Sequence, residues 1–200
     1  MVKKLYIGVI GFQGAISEHI TIMQNALMTN DTPGEVFIVK SYDDINKADA
    51  LILPGGESTT ISKILTKLEL HEAILKRVNE NNLPIMGTCA GCVLLASEIF
   101  DNKNKDLQLL NIIDMQVQRN AFGRQKESFE KSITIEGFSK SYNAVFIRAP
   151  VIKKVWGTTK ILSKIDKKIV MARQDNILAL SFHPELTDDL RIHKYFLDMI

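Results

Sequence analysis

The chain of 200 residues has only two cysteines, Cys89 and Cys92, and a single tryptophan. Two cysteines in one Cys-x-x-Cys spacing, with no second pair, cannot build the disulfide framework of a small secreted domain. They do not complete a zinc site either. Two further ligands would be needed, and His19, His71, His183 and His193 do not form the paired spacing that structural zinc prefers. A thioredoxin-like dithiol stays open on spacing alone. No apolar run approaches the length that spans a membrane. The Met-Val-Lys-Lys start and the short run after it lack the long apolar stretch and small-residue cleavage site of a signal peptide. Charge of one sign is also scarce. With 25 basic and 23 acidic residues the net charge is +2, and the Lys pairs at 3–4, 153–154 and 167–168 are too short to make a nucleic-acid patch. Repeats, low-complexity segments and linkers are missing too. These absences leave a cytoplasmic chain, with no metal or other cofactor expected. At 46% hydrophobic it can bury an ordinary core as one domain over residues 1–200.

What is present alternates. Residues 5–10 are aliphatic and β-branched, as in a strand buried on both faces. Gly11-Phe12-Gln13-Gly14 punctuates the chain, and Ile16, Ile20, Met23 and Leu27 then recur at helical spacing. The same reading predicts strands at 35–40, 50–53 and 84–88. It predicts helices through Ile61, Ile64, Leu65 and Leu68, over 70–79, and over 93–100. The second half carries short strands at 111–118, 132–135, 144–148, 168–172 and 177–182. A closing helix follows over 187–199, with Thr187 as N-cap and Asp188 and Asp189 in its first turn. Strand and helix in alternation with short connections mean an α/β fold with a mostly parallel central sheet and helices on both faces. The extra short strands belong to the second half.

Three segments carry chemistry. In Gly87-Thr88-Cys89-Ala90-Gly91 a strand runs into a cysteine and at once into a helix, with small residues on both sides. That is nucleophile-elbow logic with sulfur in place of oxygen. The helix start favours a thiolate, and the Ala90 N–H can serve an oxyanion hole. Read alone, Cys89 is as readily a small buried hydrophobe. The second segment is Ser181-Phe182-His183-Pro184-Glu185. On a strand, residues two apart point to one side, so Glu185 can accept a hydrogen bond from His183, fix its tautomer and leave the other ring nitrogen for the thiol. The third is Leu53-Pro54-Gly55-Gly56-Glu57-Ser58-Thr59, whose glycines leave backbone N–H groups free at a helix start. It lacks the Gly-Lys-Ser/Thr ending of a phosphate loop. Gly56 is expected to face Cys89 across the strand ends, where open sheets hold their ligands.

With Cys89, His183 and Glu185 in this order, the chain resembles the class I glutamine amidotransferases, and more narrowly the family of glutaminase subunits of pyridoxal 5′-phosphate synthase. The likeness is carried by residues 8–15, 53–60 and 87–91, by Arg119-Asn120-Ala121-Phe122-Gly123-Arg124-Gln125, by Phe146-Ile147-Arg148-Ala149-Pro150, and by residues 181–187. It implies a flavodoxin-like sheet and a reaction in which Cys89 attacks the side-chain amide of glutamine. His183 would act as base and acid, Glu185 would orient it, and Gly56 and Ala90 would hold the oxyanion. The glutamine pocket would be lined by Gly56, Glu57, Ser58, Arg119, Ile147 and Arg148, with Arg119 suited to a carboxylate. The resemblance implies that the ammonia passes to the catalytic (lyase) subunit of the synthase. That partner would set a Gly55-Gly56 peptide flip, since neither residue carries a Cβ, and the segment around Gln13 is expected to touch it. Where the family carries an aliphatic residue this chain has Cys92, expected to be buried and inert, or else to form an off-pathway disulfide with Cys89. The alternatives are the glutaminase subunit of imidazole glycerol phosphate synthase, a non-catalytic module of the same fold, or a cysteine hydrolase of a related α/β fold.

Overall fold

In the computed structural model, residues 3–100, 107–122 and 128–200 are described. The first half runs β1 (Leu5–Ile10), α1 (Ile16–Thr29), β2 (Gly34–Val39), α2 (Tyr42–Lys47), β3 (Ala50–Leu53), α3 (Ser58–Lys67), α4 (Leu70–Asn81), β4 (Ile85–Thr88) and α5 (Ala90–Leu95). The second half adds β5 (Ala96–Ile99), β6 (Ile113–Gln118), β7 (Ser128–Ile133), β8 (Tyr142–Ile147), β9 (Val151–Val155), β10 (Lys160–Ile165), β11 (Lys168–Gln174), β12 (Ile177–Leu180) and α6 (Arg191–Leu197). The main sheet has the order β2-β1-β3-β4-β12-β11-β9-β6-β5, with β10 paired to β11, while β7 and β8 form an antiparallel ladder of their own. The five strands from β2 to β12 are parallel. Their order is the flavodoxin-like one.

The period-two pattern of the strands sorts the core into two layers. Leu51 and Leu53 of β3 face Ile45, Ile61, Leu65, Ile74 and Leu94 of the four helices α2 to α5. Ala50 and Ile52 face the other way, toward Met23 and Leu27 of α1 and Phe196 of α6. Tyr142 and Phe146 of β8 are fully buried in that second layer, with Phe146 ring centroids 5.6 Å from Phe182. The α2 C-terminus is closed from a distance. Arg77 donates from its guanidinium to the carbonyls of Ile45, Asn46 and Ala48, neutralising acceptors that the short helix leaves over.

Some sequence-based boundaries move. The helix expected over 93–100 begins at Ala90 and ends at Leu95, because Ala96 to Ile99 pair in parallel with β6 as the sheet's far edge. Helical propensity there yields to tertiary pairing. The closing helix spans only Arg191–Leu197. Thr187 is not its cap: the hydroxyl meets Tyr142 and donates to the Pro184 carbonyl, while Asp189 accepts from Arg191 N. The strand expected at 132–135 is displaced to Ser128–Ile133. Helix α2 and strands β9 and β10 have no counterpart in the sequence reading.

The end of the sheet that carries Cys89 depends on missing side chains. A Cβ on Gly91 would lie 2.0 Å from the Leu53 carbonyl oxygen, and one on Gly87 would lie 2.7 Å from the Gly91 carbonyl carbon. Helix α5 therefore sits against β3 and β4 at backbone contact distance. Gly91→Ala is expected to lower stability by about 1–3 kcal/mol through overpacking, read as a lower urea midpoint with an unchanged m-value.

Candidate active site

Cys89 stands between β4 and α5 with φ 50° and ψ −101°. A side chain rarely adopts this conformation, and here the surroundings enforce it. The Cys89 N–H donates to Leu180 O on β12 at 2.8 Å, continuing the β4–β12 ladder one step past Thr88. The turn presents the thiol at the carboxyl end of the sheet, and it donates to the Ile147 carbonyl at 3.7 Å. Cys92, one turn into α5, is fully buried, is absent from the cavity that Cys89 lines, and has its thiol pKa raised by burial. Both cysteines are free thiols.

His183 comes to the same place along the neighbouring strand. Its N–H donates to Val145 O of β8 at 2.8 Å. Nδ1 meets Glu185 Oε1 at 2.7 Å. Strand alternation does not make this contact, contrary to the sequence argument. Strand β12 ends at Leu180, and Glu185 turns back toward His183 within a 3-10 turn at Pro184–Leu186. Pro184 opens that turn, where a missing N–H costs nothing. Glu185 is buried and lies behind the ring, and His183 Nε2 has no hydrogen-bond partner among the described residues. Burial opposes charge on His183, but Cys89 and Glu185 together hold its pKa up to about 10. Burial likewise opposes the Glu185 carboxylate, and the hydrogen bond from His183 foremost keeps its pKa below the usual range.

A cavity of about 430 Å³ opens over these groups, within the size range of small-molecule sites. Cys89, His183, Gly56 and Ala90 line it, as do Glu57, Ser58, Arg119, Ile147 and Arg148. Every residue expected in the glutamine pocket is thus on one wall or another. Gly55 has to be glycine: a Cβ there would lie 2.6 Å from His183 Cε1 and 3.4 Å from Cys89 Cβ. Gly56 has φ 137°, and the next N–H, of Glu57, donates to Gln13 Oε1 at 3.0 Å. Arg119 differs from expectation in its partner. Its guanidinium donates to Glu57 Oε1 at 3.0 Å, a carboxylate of the protein itself. Burial works against the Glu57 charge, but hydrogen bonds from Thr59 and Thr60 bring its pKa down to about 2. Gly123, Arg124 and Gln125 of the Arg119 segment lie outside the described residues.

Sequence reasoning did not find Asn120, Val93 and Pro150 on the cavity wall, nor Gln13, which it gave only to a partner contact. It also passed over His19, a fully buried α1 residue whose Nε2 is 3.4 Å from Glu185 Oε2. Helical periodicity cannot flag His19, because it occupies an ordinary inward position of an amphipathic helix.

A family model described as the SNO glutamine amidotransferase family matches residues 9–200. The chain is 46% identical over 195 residues to pyridoxal 5′-phosphate synthase subunit PdxT of Methanococcoides burtonii, covering 97% of this chain and 98% of that one. It is 44% identical, at the same coverages, to the PdxT subunit of Thermotoga maritima. A solved structure described as a glutamine amidotransferase superposes with a TM-score of 0.86 at 40% identity, over 96% of this chain and 97% of that chain. A glutamine amidotransferase structure from Thermotoga maritima, 12% identical with a TM-score of 0.64 over 97% of this chain and 83% of its own, shares the fold. By family model, relatives and fold together, this chain belongs to the SNO glutamine amidotransferase family.

Proposed function

We infer that the chain is the glutamine-hydrolysing subunit of a pyridoxal 5′-phosphate synthase, releasing ammonia for a synthase subunit that joins it with a pentose phosphate and a triose phosphate. One observation carries the chemistry: a cysteine on a strained elbow shares a cavity with a histidine that a buried glutamate holds at 2.7 Å. Cys89 attacks the amide carbon. With its pKa held up by Cys89 and Glu185, His183 carries the thiol proton, so Cys89 attacks as the thiolate, and His183 gives a proton to the leaving ammonia. The N–H groups of Gly56 and Ala90 meet the oxyanion, and water then cleaves the thioester to glutamate. The charges of Arg119 and Glu57 suit a free amino acid, since glutamine brings an α-carboxylate for the guanidinium and an α-ammonium for the carboxylate. Relatives matched over nearly the whole chain carry the pyridoxal name, which disfavours the imidazole glycerol phosphate alternative. We assign the whole chain to one glutaminase domain. Two free thiols suit a reducing compartment, so we place it in the cytoplasm.

Mixing the chain with its synthase subunit, glutamine and both sugar phosphates should produce the coenzyme's absorbance. Cys89→Ala should give none until ammonium salt is added; an unrescued mixture would reject the assignment. Arg119→Ala should raise KM for glutamine about tenfold or more with kcat little changed, the signature of lost ground-state binding. The His183 pKa lies above its ordinary 6.5, so the stability it contributes is complete below pH 6.5 and disappears as pH climbs through about 10. Urea midpoints at pH 6, 8 and 10 should therefore show the wild type's margin over His183→Asn shrinking with pH.

A further inference from the structure

His183 satisfies one oxygen of the catalytic carboxylate, and the other oxygen faces a residue with no assigned task. Among the described residues Glu185 Oε2 is buried without a hydrogen-bond partner, and His19 Nε2 stands 3.4 Å from it. The same nitrogen is 3.2 Å from Thr88 Oγ1, on the residue that precedes the nucleophile. Both side chains of the His19–Glu185 pair are 0% exposed. Charged and titratable groups around His19 come from several elements. Glu185 and His183 lie beyond β12, His193 sits on α6 with ring centroids 6.4 Å away, and Glu18 is on α1 itself.

The tautomer follows from the partners. His19 Nδ1 has none among the described residues, so a proton there would be a buried donor left unpaired. A bare Nε2 would also turn its lone pair toward a carboxylate oxygen. With the proton on Nε2, the donor meets two oxygens and only an acceptor goes unpaired. Burial keeps the ring neutral by lowering its pKa, as it does for His193, whose pKa falls to about 3.

We propose that His19 is a positioning residue for the glutaminase reaction, its Nε2–H holding the second oxygen of Glu185 and tying it to Thr88 beside the nucleophile. The proposal rests on the glutaminase reading above. His19 touches no reacting atom. It keeps Glu185 ionised and turned toward His183, so that the imidazole keeps its tautomer while the proton moves.

The test compares His19→Leu and His19→Gln with wild type by glutamate release in the presence of the synthase subunit. Loss of a donor to a buried carboxylate should lower kcat about tenfold in His19→Leu, with KM within about twofold. Activity needs the carboxylate, which exists above the Glu185 pKa, and losing the donor raises that pKa. The acid limb of kcat/KM should therefore move up by about one pH unit. His19→Gln restores an N–H near the same place and should recover most of both effects. A merely structural role would move the unfolding midpoint and leave the acid limb unchanged, which would overturn the proposal, as would equal losses in both variants. Nitrogen-15 shifts of labelled wild-type histidine decide it even if His19→Leu fails to fold: Nε2–H supports it and Nδ1–H overturns it. A wild type that does not hydrolyse glutamine would instead reject the proposed function itself.

Discussion

The site depends on the parallel ladder between β4 and β12. Its register pairs Thr88 with Leu180, and the Cys89 N–H extends it by one bond to the Leu180 carbonyl. That bond brings the cysteine to the end of one strand as the neighbouring strand delivers His183. A slip of one residue would turn the strand's side chains to the other face, and Cys89 and His183 would no longer share a cavity. Both strands are buried on both faces, with Ile85, Met86, Leu178 and Leu180 fully buried.

On that ladder the protein spends backbone strain and close packing. Cys89 adopts a φ of 50° and Gly56 one of 137°, both at the cavity. Glycine takes such a φ freely, whereas Cys89 keeps its own only where the surroundings over-determine it. Here the surroundings are close contacts at glycines, backbone on backbone where Gly91 meets Leu53 and backbone on side chain where Gly55 meets the His183 ring. The glycines make room for the chemistry, and the aliphatic layers on either side of the sheet supply the stability that tolerates it.

Much of this was legible in the sequence, for definite reasons. The parallel strands were continuous apolar runs, and the elbow announced itself through small residues around one cysteine. The pocket residues came from the family likeness, and all six expected for glutamine line the cavity. Other features were hidden, and three of them show why. Strand β5 looked helical because its β character comes from pairing with β6, beyond the reach of local pattern. The contact between His183 and Glu185 was expected for the wrong geometric reason, since a 3-10 turn makes it. Arg119 finds its counterion in Glu57, far away in sequence, and no spacing rule connects the two.

Strand β8 belongs to the small two-stranded ladder, outside the main sheet, yet it reaches both His183 and Cys89. Its Val145 carbonyl receives the His183 N–H, and its Ile147 carbonyl receives the Cys89 thiol. Two instruments are thus bolted to one mount. A small drift of β8 becomes a common-mode error, shifting both references together and largely cancelling in the difference between them. Thermal motion of this strand therefore disturbs the site's position more than its internal alignment, and alignment is what the transfer of a proton requires.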